Sequence, residues 1–335
     1  MKPNRFIFFI LGLFIATSCT HNPLNVNVDE VAIDLKFVNL DSIFVHSETD
    51  KLAADILKSG ILKNEILSYE LGQCLGVGPL SDSGTVDRIK LFVNDPFVKR
   101  VENRIAEKFS DHSKRKEIIT SGFKHLKYHF PEGNFPKNVV FLNSHFASNV
   151  FCTEQEIGVS LERYLGAETD VIKELPDPIF QWIKDKMDAK YLERDVLTAW
   201  IMTHFIPETK GNTAEQIIYW GKIIYLTEAA FPEMDKNILM RYSVEDLEWA
   251  NKNEYSFWQY LVKEKMLFSE NEREQMNFLS DAPFTAGLPE KGPDRLGQFI
   301  GWKMVQSFMK ANPKMSLADM IQVPYNQILQ EYEIK

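Results

Sequence analysis

Cysteine is scarce in this chain: three residues in 335, at positions 19, 74 and 152. That is too few for a disulfide scaffold, so a hydrophobic core has to hold the fold together. Cys74 and Cys152 are compatible with one bridge in an oxidising compartment and equally with two buried thiols. Positive charge is also short. Lys and Arg number 38 against 47 Asp and Glu, a formal net charge of −9, which makes nucleic acid and anionic lipid poor partners. The signatures of common chemistries are missing as well: no Gly-rich phosphate loop, no Gly-x-Ser-x-Gly elbow, no Cys-x-x-Cys pair and no His-Glu-x-x-His. The N-terminal apolar run, residues 6–15, is ten residues long, well short of the ~20 that a spanning helix needs.

That run carries the strongest local signal. Lys2 and Arg5 precede it, and Ala16-Thr17-Ser18 leads from it into Cys19. A basic start, a short apolar core and small residues make a cleavable secretory signal. A cysteine directly after the small residues marks a bacterial lipoprotein signal, with Cys19 as the acylated mature N-terminus. Residues 1–18 are then removed, leaving 36 basic against 47 acidic residues and a formal charge of −11. Several acyl chains, at ~0.8 kcal/mol per buried CH₂, give durable anchoring. The protein is expected in the cell envelope, facing the periplasm by default because no acidic cluster follows Cys19; which membrane carries the lipid is left open.

Residues 19–30 are polar, with Asn22, Pro23, Asn25 and Asn27, and read as a tether. No linker divides residues 31–335, which predicts one domain. The composition is 44% hydrophobic, 25% charged and 12% aromatic, ordinary for a globular domain with a substantial core. Residues 31–46 mix strand-like alternation with a turn near Asn39-Leu40-Asp41. Helical spacing follows over 47–75, 96–109 and 113–130. Residues 138–166 hold three short β-branched or aromatic segments bounded by turns, which predicts a small antiparallel sheet. Downstream, helices are expected over 176–188, 190–205, 212–231, 243–252, 254–266, 269–279, 292–312 and 316–321, with start signals at Ser243/Asp246 and Ser269/Glu272. The fold class is α+β, mostly helical, with a small antiparallel or mixed sheet.

No catalytic constellation emerges. His125 and His129, four apart on a helix, face the same way and are a candidate zinc pair, but Leu126 stands where the protease signature needs Glu. They read better as boundary histidines beside the stripe Ile119, Phe123, Leu126 and Phe130. Glu154, Glu156 and Glu162 read as solvent-side charges of a hairpin. The C-terminal half is dense in aromatics and glycine: Trp220, Lys222 and Tyr225 on one helix, Trp258 on another, then Arg295, Gly297, Gly301 and Trp302. These residues, with Glu162 and Tyr164, are candidates for an aromatic-lined groove that holds a peptide or partner; close core packing is the alternative. Gly297 and Gly301 would let another element approach closely.

An ordered set of segments resembles a known family. It comprises the lipoprotein signal, residues 157–166 (IGVSLERYLG), 220–225 (WGKIIY), Glu248-Trp249, 253–258 (NEYSFW), and 281–285 (DAPFT) through Gly301-Trp302. Together these resemble the gliding motility lipoproteins called GldB over nearly the whole mature chain. The resemblance implies an envelope lipoprotein needed for gliding over surfaces, with partners in the motility and secretion machinery. It also implies a fold related to zinc metallopeptidases, in which an edge strand precedes a helix carrying His-Glu-x-x-His. The helix in that place, 190–205, offers Glu193 and Asp195 and no histidine before His204. Peptidase chemistry is therefore not expected, and neither is a cofactor. A metallopeptidase with a non-standard ligand set, His204 with Glu193 or the His125/His129 pair, is the alternative that would need zinc, and a lipid-anchored peptide or glycan binder is a third reading. If the fold relation holds, the strand around residues 157–161 would offer its edge to an extended segment.

Overall fold

The computed structural model describes residues 22–61, 65–285, 287–288 and 292–332. The signal segment and Cys19 lie outside those residues. Four short strands form one mixed sheet in the order β1-β2-β4-β3: β1 is Lys36–Asn39, β2 Asn138–Leu142, β3 Val150–Cys152 and β4 Glu156–Ser160. Strands β1, β2 and β4 run parallel, and β3 turns back antiparallel onto β4. The antiparallel sheet expected from sequence is thus reduced to the β3–β4 hairpin. Strands β2 and β4 are buried along their whole length, which is why Val139–Leu142 of β2 reads as a continuous apolar run instead of an alternating one.

The period of two along β2 divides the interior in two. Val139 and Phe141 face the larger core with Ile157 and Val159 of β4 and the C-terminal helices. Val140 and Leu142 face a smaller core made with Leu40, Phe44, Leu52, Ile56 and Ile89 from the long β1–β2 crossover. That crossover opens with the helix Leu40–His46, capped by the Asn39 side chain, which accepts from the Ser42 N–H at 2.9 Å. It also holds a helix at Thr85–Asn94 that the spacing did not predict.

Behind the sheet the helix Leu192–His204 packs against β3 and β4, with Trp200 fully buried and donating its indole N–H to the Asn134 carbonyl at 3.0 Å. The helices Thr213–Ala230 and Leu296–Ala311 pack with their backbones in direct contact. A Cβ at Gly301 would lie 1.9 Å from the Ile217 carbonyl oxygen, and one at Gly221 2.2 Å from the Gly301 carbonyl oxygen. Glycine at both positions is what lets these backbones touch.

Several expectations are corrected. The pieces 243–252 and 254–266 are one continuous helix, Val244–Lys263, opened by the Ser243/Asp246 capping box. The stretch 176–188 is mostly turns around the short helix Gln181–Lys184. The helix near 270 is capped by Asn271 and not by Ser269. Within the stretch read as a tether, residues 22–25 lie against the body: Leu24 is buried in the larger core, Asn22 Nδ2 donates to the Pro232 carbonyl at 3.0 Å, and Asn25 Nδ2 donates to Glu233 at 2.8 Å. Asn22 and Asn25 bond the turn at 232–233, where a tether's side chains would face water. Strand β4 is interior, paired on both sides, so it has no free edge to lend; the edges belong to β1 and β3. Cys74 and Cys152 are free thiols. Among the described residues no helix is long and apolar enough to cross a membrane.

Candidate functional site

Strand β4 runs into a 3-10 turn, Leu161–Tyr164, and this turn is where charge collects. The Tyr164 hydroxyl donates to Asp195 Oδ2 at 3.0 Å, and Asp195, in the first turn of the Leu192–His204 helix, also accepts from Arg241 Nη1 at 2.6 Å and Arg194 Nη1 at 3.2 Å. Arg241 Nη2 donates to the Lys186 carbonyl at 2.7 Å, and its guanidinium lies over the Tyr191 ring. The network continues through Lys186, whose ammonium bonds Asp294 and, at 3.1 Å, Asp281. Arg295 Nε lies 3.1 Å from both Asp294 Oδ1 and Asp281 Oδ1, and Arg295 Nη2 donates to the Arg241 carbonyl.

Arg241 and Arg295 both have left-handed backbones, with φ of 53° and 52°. A side chain there costs roughly 1–2 kcal/mol, and the guanidinium bonds hold the backbone in place against that strain. Burial pushes the Asp281 carboxyl up, but the opposing pull of Arg295, Lys186 and Arg241 wins and holds it well below the usual carboxylate range.

These groups surround a cleft of about 230 Å³ whose lining includes Arg163, Tyr164, Trp182, Lys186, Arg241 and Asp281. Of the charged groups that line it, three are cations (Arg163, Lys186, Arg241) and one is a carboxylate (Asp281). The lining is thus mainly cationic in a chain that is acidic overall. Arg241 Nε is buried without an acceptor. A mainly cationic lining with an unpaired guanidinium N–H and one indole wall suits a carboxylate-bearing segment.

On the smaller-core side, the carboxyl ends of the parallel strands bring acids together. Asp41 Oδ1 accepts from the Asn143 N–H at 2.5 Å, and Asn143 Nδ2 donates to Glu102 at 2.7 Å. Glu162 Oε1 accepts from the Ser144 hydroxyl at 2.8 Å and the Phe146 N–H at 2.9 Å. Burial pushes the Glu162 carboxyl up to about 7 against those bonds. Burial also raises Asp41, helped by Glu102, Glu162 and Glu70. At neutral pH the Glu162 carboxyl therefore sits near the balance between neutral and charged. Among the described residues, no group of three or more His, Cys, Asp or Glu is placed to hold a metal ion.

The histidines singled out from sequence are engaged separately. His125 Nδ1 is 2.9 Å from the Ser121 carbonyl oxygen. Burial and the neighbouring His125 lower His129 to about 4. His204 stacks on Trp200, with Nε2 at 2.9 Å from the Thr153 carbonyl oxygen and Nδ1 at 3.2 Å from Asn134 Nδ2. Glu193 accepts from Arg115 at 2.5 Å. Among the described residues, none of these side chains joins a group of three or more potential metal ligands.

The aromatic and glycine candidates do not form one groove. Tyr164 and Arg295 belong to the cationic cluster. Tyr225 lines a separate apolar cavity, and Trp302 is buried with its indole N–H donating to Glu228 at 2.7 Å. Lys222 Nζ caps the Ile321 and Val323 carbonyls at 2.9 and 2.7 Å, Trp220 rests half-buried against Tyr219, and Trp258 meets Tyr332 edge-on. Gly297 and Gly301 serve packing: a Cβ at Gly297 would lie 2.9 Å from the Phe278 carbonyl oxygen. Glu162 lies in the acid cluster. Arg163, Trp182, Lys186, Arg241 and Asp281 were not foreseen. Their one sequence trace is the pair of Arg residues, 241 and 295, each beside Tyr242 or Asp294 in an acid-rich chain.

No curated protein and no solved structure matches this chain. A family model does, and it extends from residue 21 to residue 335, taking in the sheet, the charged cleft and both glycine-paired helices. With nearly the whole chain matched, this protein belongs to the gliding motility protein GldB family.

Proposed function

We propose that this protein is a non-catalytic scaffold of the cell envelope, anchored by lipid at Cys19, whose cationic cleft holds an acidic segment of a partner in the motility or secretion machinery. The observation that carries the reading is the charge balance of the cleft: Arg163, Lys186 and Arg241 line it, and Arg241 Nε has no acceptor of its own. An acidic segment would supply that acceptor and balance the surplus charge. Family membership supports a place in gliding, and the lipoprotein signal supports an envelope location facing the periplasm.

The test is complementation in the organism that carries the gene. Disruption should stop spreading over agar, and the wild-type chain should restore it. A variant carrying Arg163→Gln and Trp182→Ala should accumulate to wild-type level with an unchanged melting temperature, yet fail to restore spreading. A photoreactive phenylalanine at position 182 should crosslink to an envelope protein with an acidic segment. Spreading that persists after disruption would remove the motility assignment; full rescue by the double variant would remove the cleft.

A further inference from the structure

The apolar cavity beside Tyr225 has a volume of about 750 Å³, within the ~300–1,000 Å³ of pockets that take a small molecule. Its walls come from three long helices, Ser113–His129, Thr213–Ala230 and Leu296–Ala311, from the loop after the last of these, and from Asn22, Pro23 and Leu24. The walls offer Leu24, Tyr225, Met309, Met315 and Leu317. Methionine is unbranched and adapts to an irregular apolar guest.

Apart from Lys310, the polar groups in the wall are neutral or already engaged. Glu228 accepts from Trp302 Nε1 at 2.7 Å and Gln306 Nε2 at 3.0 Å and pairs with Lys236 at 2.9 Å. Burial, with His125 nearby, keeps His129 uncharged at neutral pH, and its Nε2 has no partner. An apolar guest would therefore displace no bond made by these groups.

The chain's own N-terminus reaches this cavity. Asn22 is fixed there by its bond to the Pro232 carbonyl, and Leu24 N–H donates to Asn22 Oδ1 at 3.1 Å. Cys19 stands three residues earlier, within about 10 Å of chain at ~3.3–3.6 Å per residue. We infer that this cavity holds one acyl chain of the lipidated Cys19, so that the protein shelters part of its own anchor while the remaining chains enter the bilayer. The inference rests on the lipid-anchor reading above. It places the cavity mouth against the membrane and fixes the orientation of the domain, which a free tether would not do.

The test uses the full chain made in its own cells fed a palmitate analogue that carries a diazirine. Intact-mass measurement of the N-terminal peptide first shows whether Cys19 is acylated. Irradiation should then crosslink the label, within one molecule, to peptides containing Tyr225, Met309 or Met315. Filling the cavity with Leu317→Trp should abolish those crosslinks while the lipid mass on Cys19 stays, with the unfolding midpoint recorded to confirm a folded sample. Acylated protein that crosslinks nowhere in these peptides overturns the cavity inference and leaves the anchor intact. An unmodified Cys19 overturns both. Crosslinks whose added mass is that of a free phospholipid overturn the occupant, because the cavity then takes a membrane lipid.

Discussion

Asp195 Oδ2 accepts from Arg241 Nη1 at 2.6 Å, and this bond ties the helix behind the sheet to the left-handed residue that walls the cationic cleft. Both side chains are largely buried. Asp195 also serves Arg194 and Tyr164, so removing it strands two guanidinium groups at once. Breaking a buried pair from one side costs about 3–5 kcal/mol. Asp195→Ala should therefore lower the denaturant midpoint sharply, while Asp195→Asn, which keeps an acceptor for Tyr164, should cost less. Equal losses for the two variants, measured by guanidinium unfolding, would show that the retained acceptor contributes nothing and that the lost charge carries the whole effect.

Glu162 gives a pH prediction with a definite sign. Its folded value near 7 lies above the ordinary 4.5, so between those limits the folded protein keeps a proton that the unfolded chain has released. Stability from this group therefore falls as pH rises through that window, by about 3 kcal/mol in all. His129, lowered from 6.5 to about 4, acts in the opposite sense: its contribution is complete above 6.5 and is lost as pH falls toward 4. Glu162→Gln separates the two. At pH 8 the variant should be more stable than wild type, and near pH 5 the gap should close. Parallel unfolding curves for both proteins from pH 5 to 8 would contradict the assignment.

Local chemistry made some of this architecture legible. The Ser243/Asp246 capping box was readable because its two bonds lie within one turn. Val139-Val140-Phe141-Leu142 was readable as a strand because burial on both faces writes an unbroken apolar run. Gly297 and Gly301 were readable as points of close approach, but not their partners, since Phe278 and Ile217 are far away in the chain. The same limit hid the cleft. Tyr164, Lys186, Asp195, Arg241 and Arg295 meet only through tertiary packing, and nothing local announces an arginine at positive φ. The burial of Leu24 was not legible, because one apolar residue among asparagines carries little periodicity.

The contact between Gly221 and Gly301 should be intolerant of one added methyl group. At Gly301 the new Cβ would meet the Ile217 carbonyl oxygen at 1.9 Å, which is backbone and cannot rotate away. The two helices would have to separate, and overpacking of this kind costs about 1–3 kcal/mol or more. Gly301→Ala and Gly221→Ala should each be strongly destabilising. Combined, they should cost less than their sum, because one separation relieves both clashes. Additive losses in urea unfolding would mean that the helices yield independently at the two sites.

Gly158 presents the contrasting case, since the obstacle is a side chain. It pairs across the hairpin with Phe151, whose ring lies over it: a Cβ at Gly158 would come within 2.4 Å of the ring. The same ring packs against Tyr69 at 4.5 Å between centroids, so it is held from the far side and cannot swing off freely. Gly158→Ala should cost about 1–3 kcal/mol. Phe151→Ala should also destabilise, because it removes an aromatic contact. In the Phe151→Ala background, however, the clash is gone, and adding Gly158→Ala should cost almost nothing. A double-mutant cycle reads this as a coupling energy of at least about 1 kcal/mol between the two positions. Zero coupling would mean that the glycine is required by the strand backbone, and that the ring is only its neighbour.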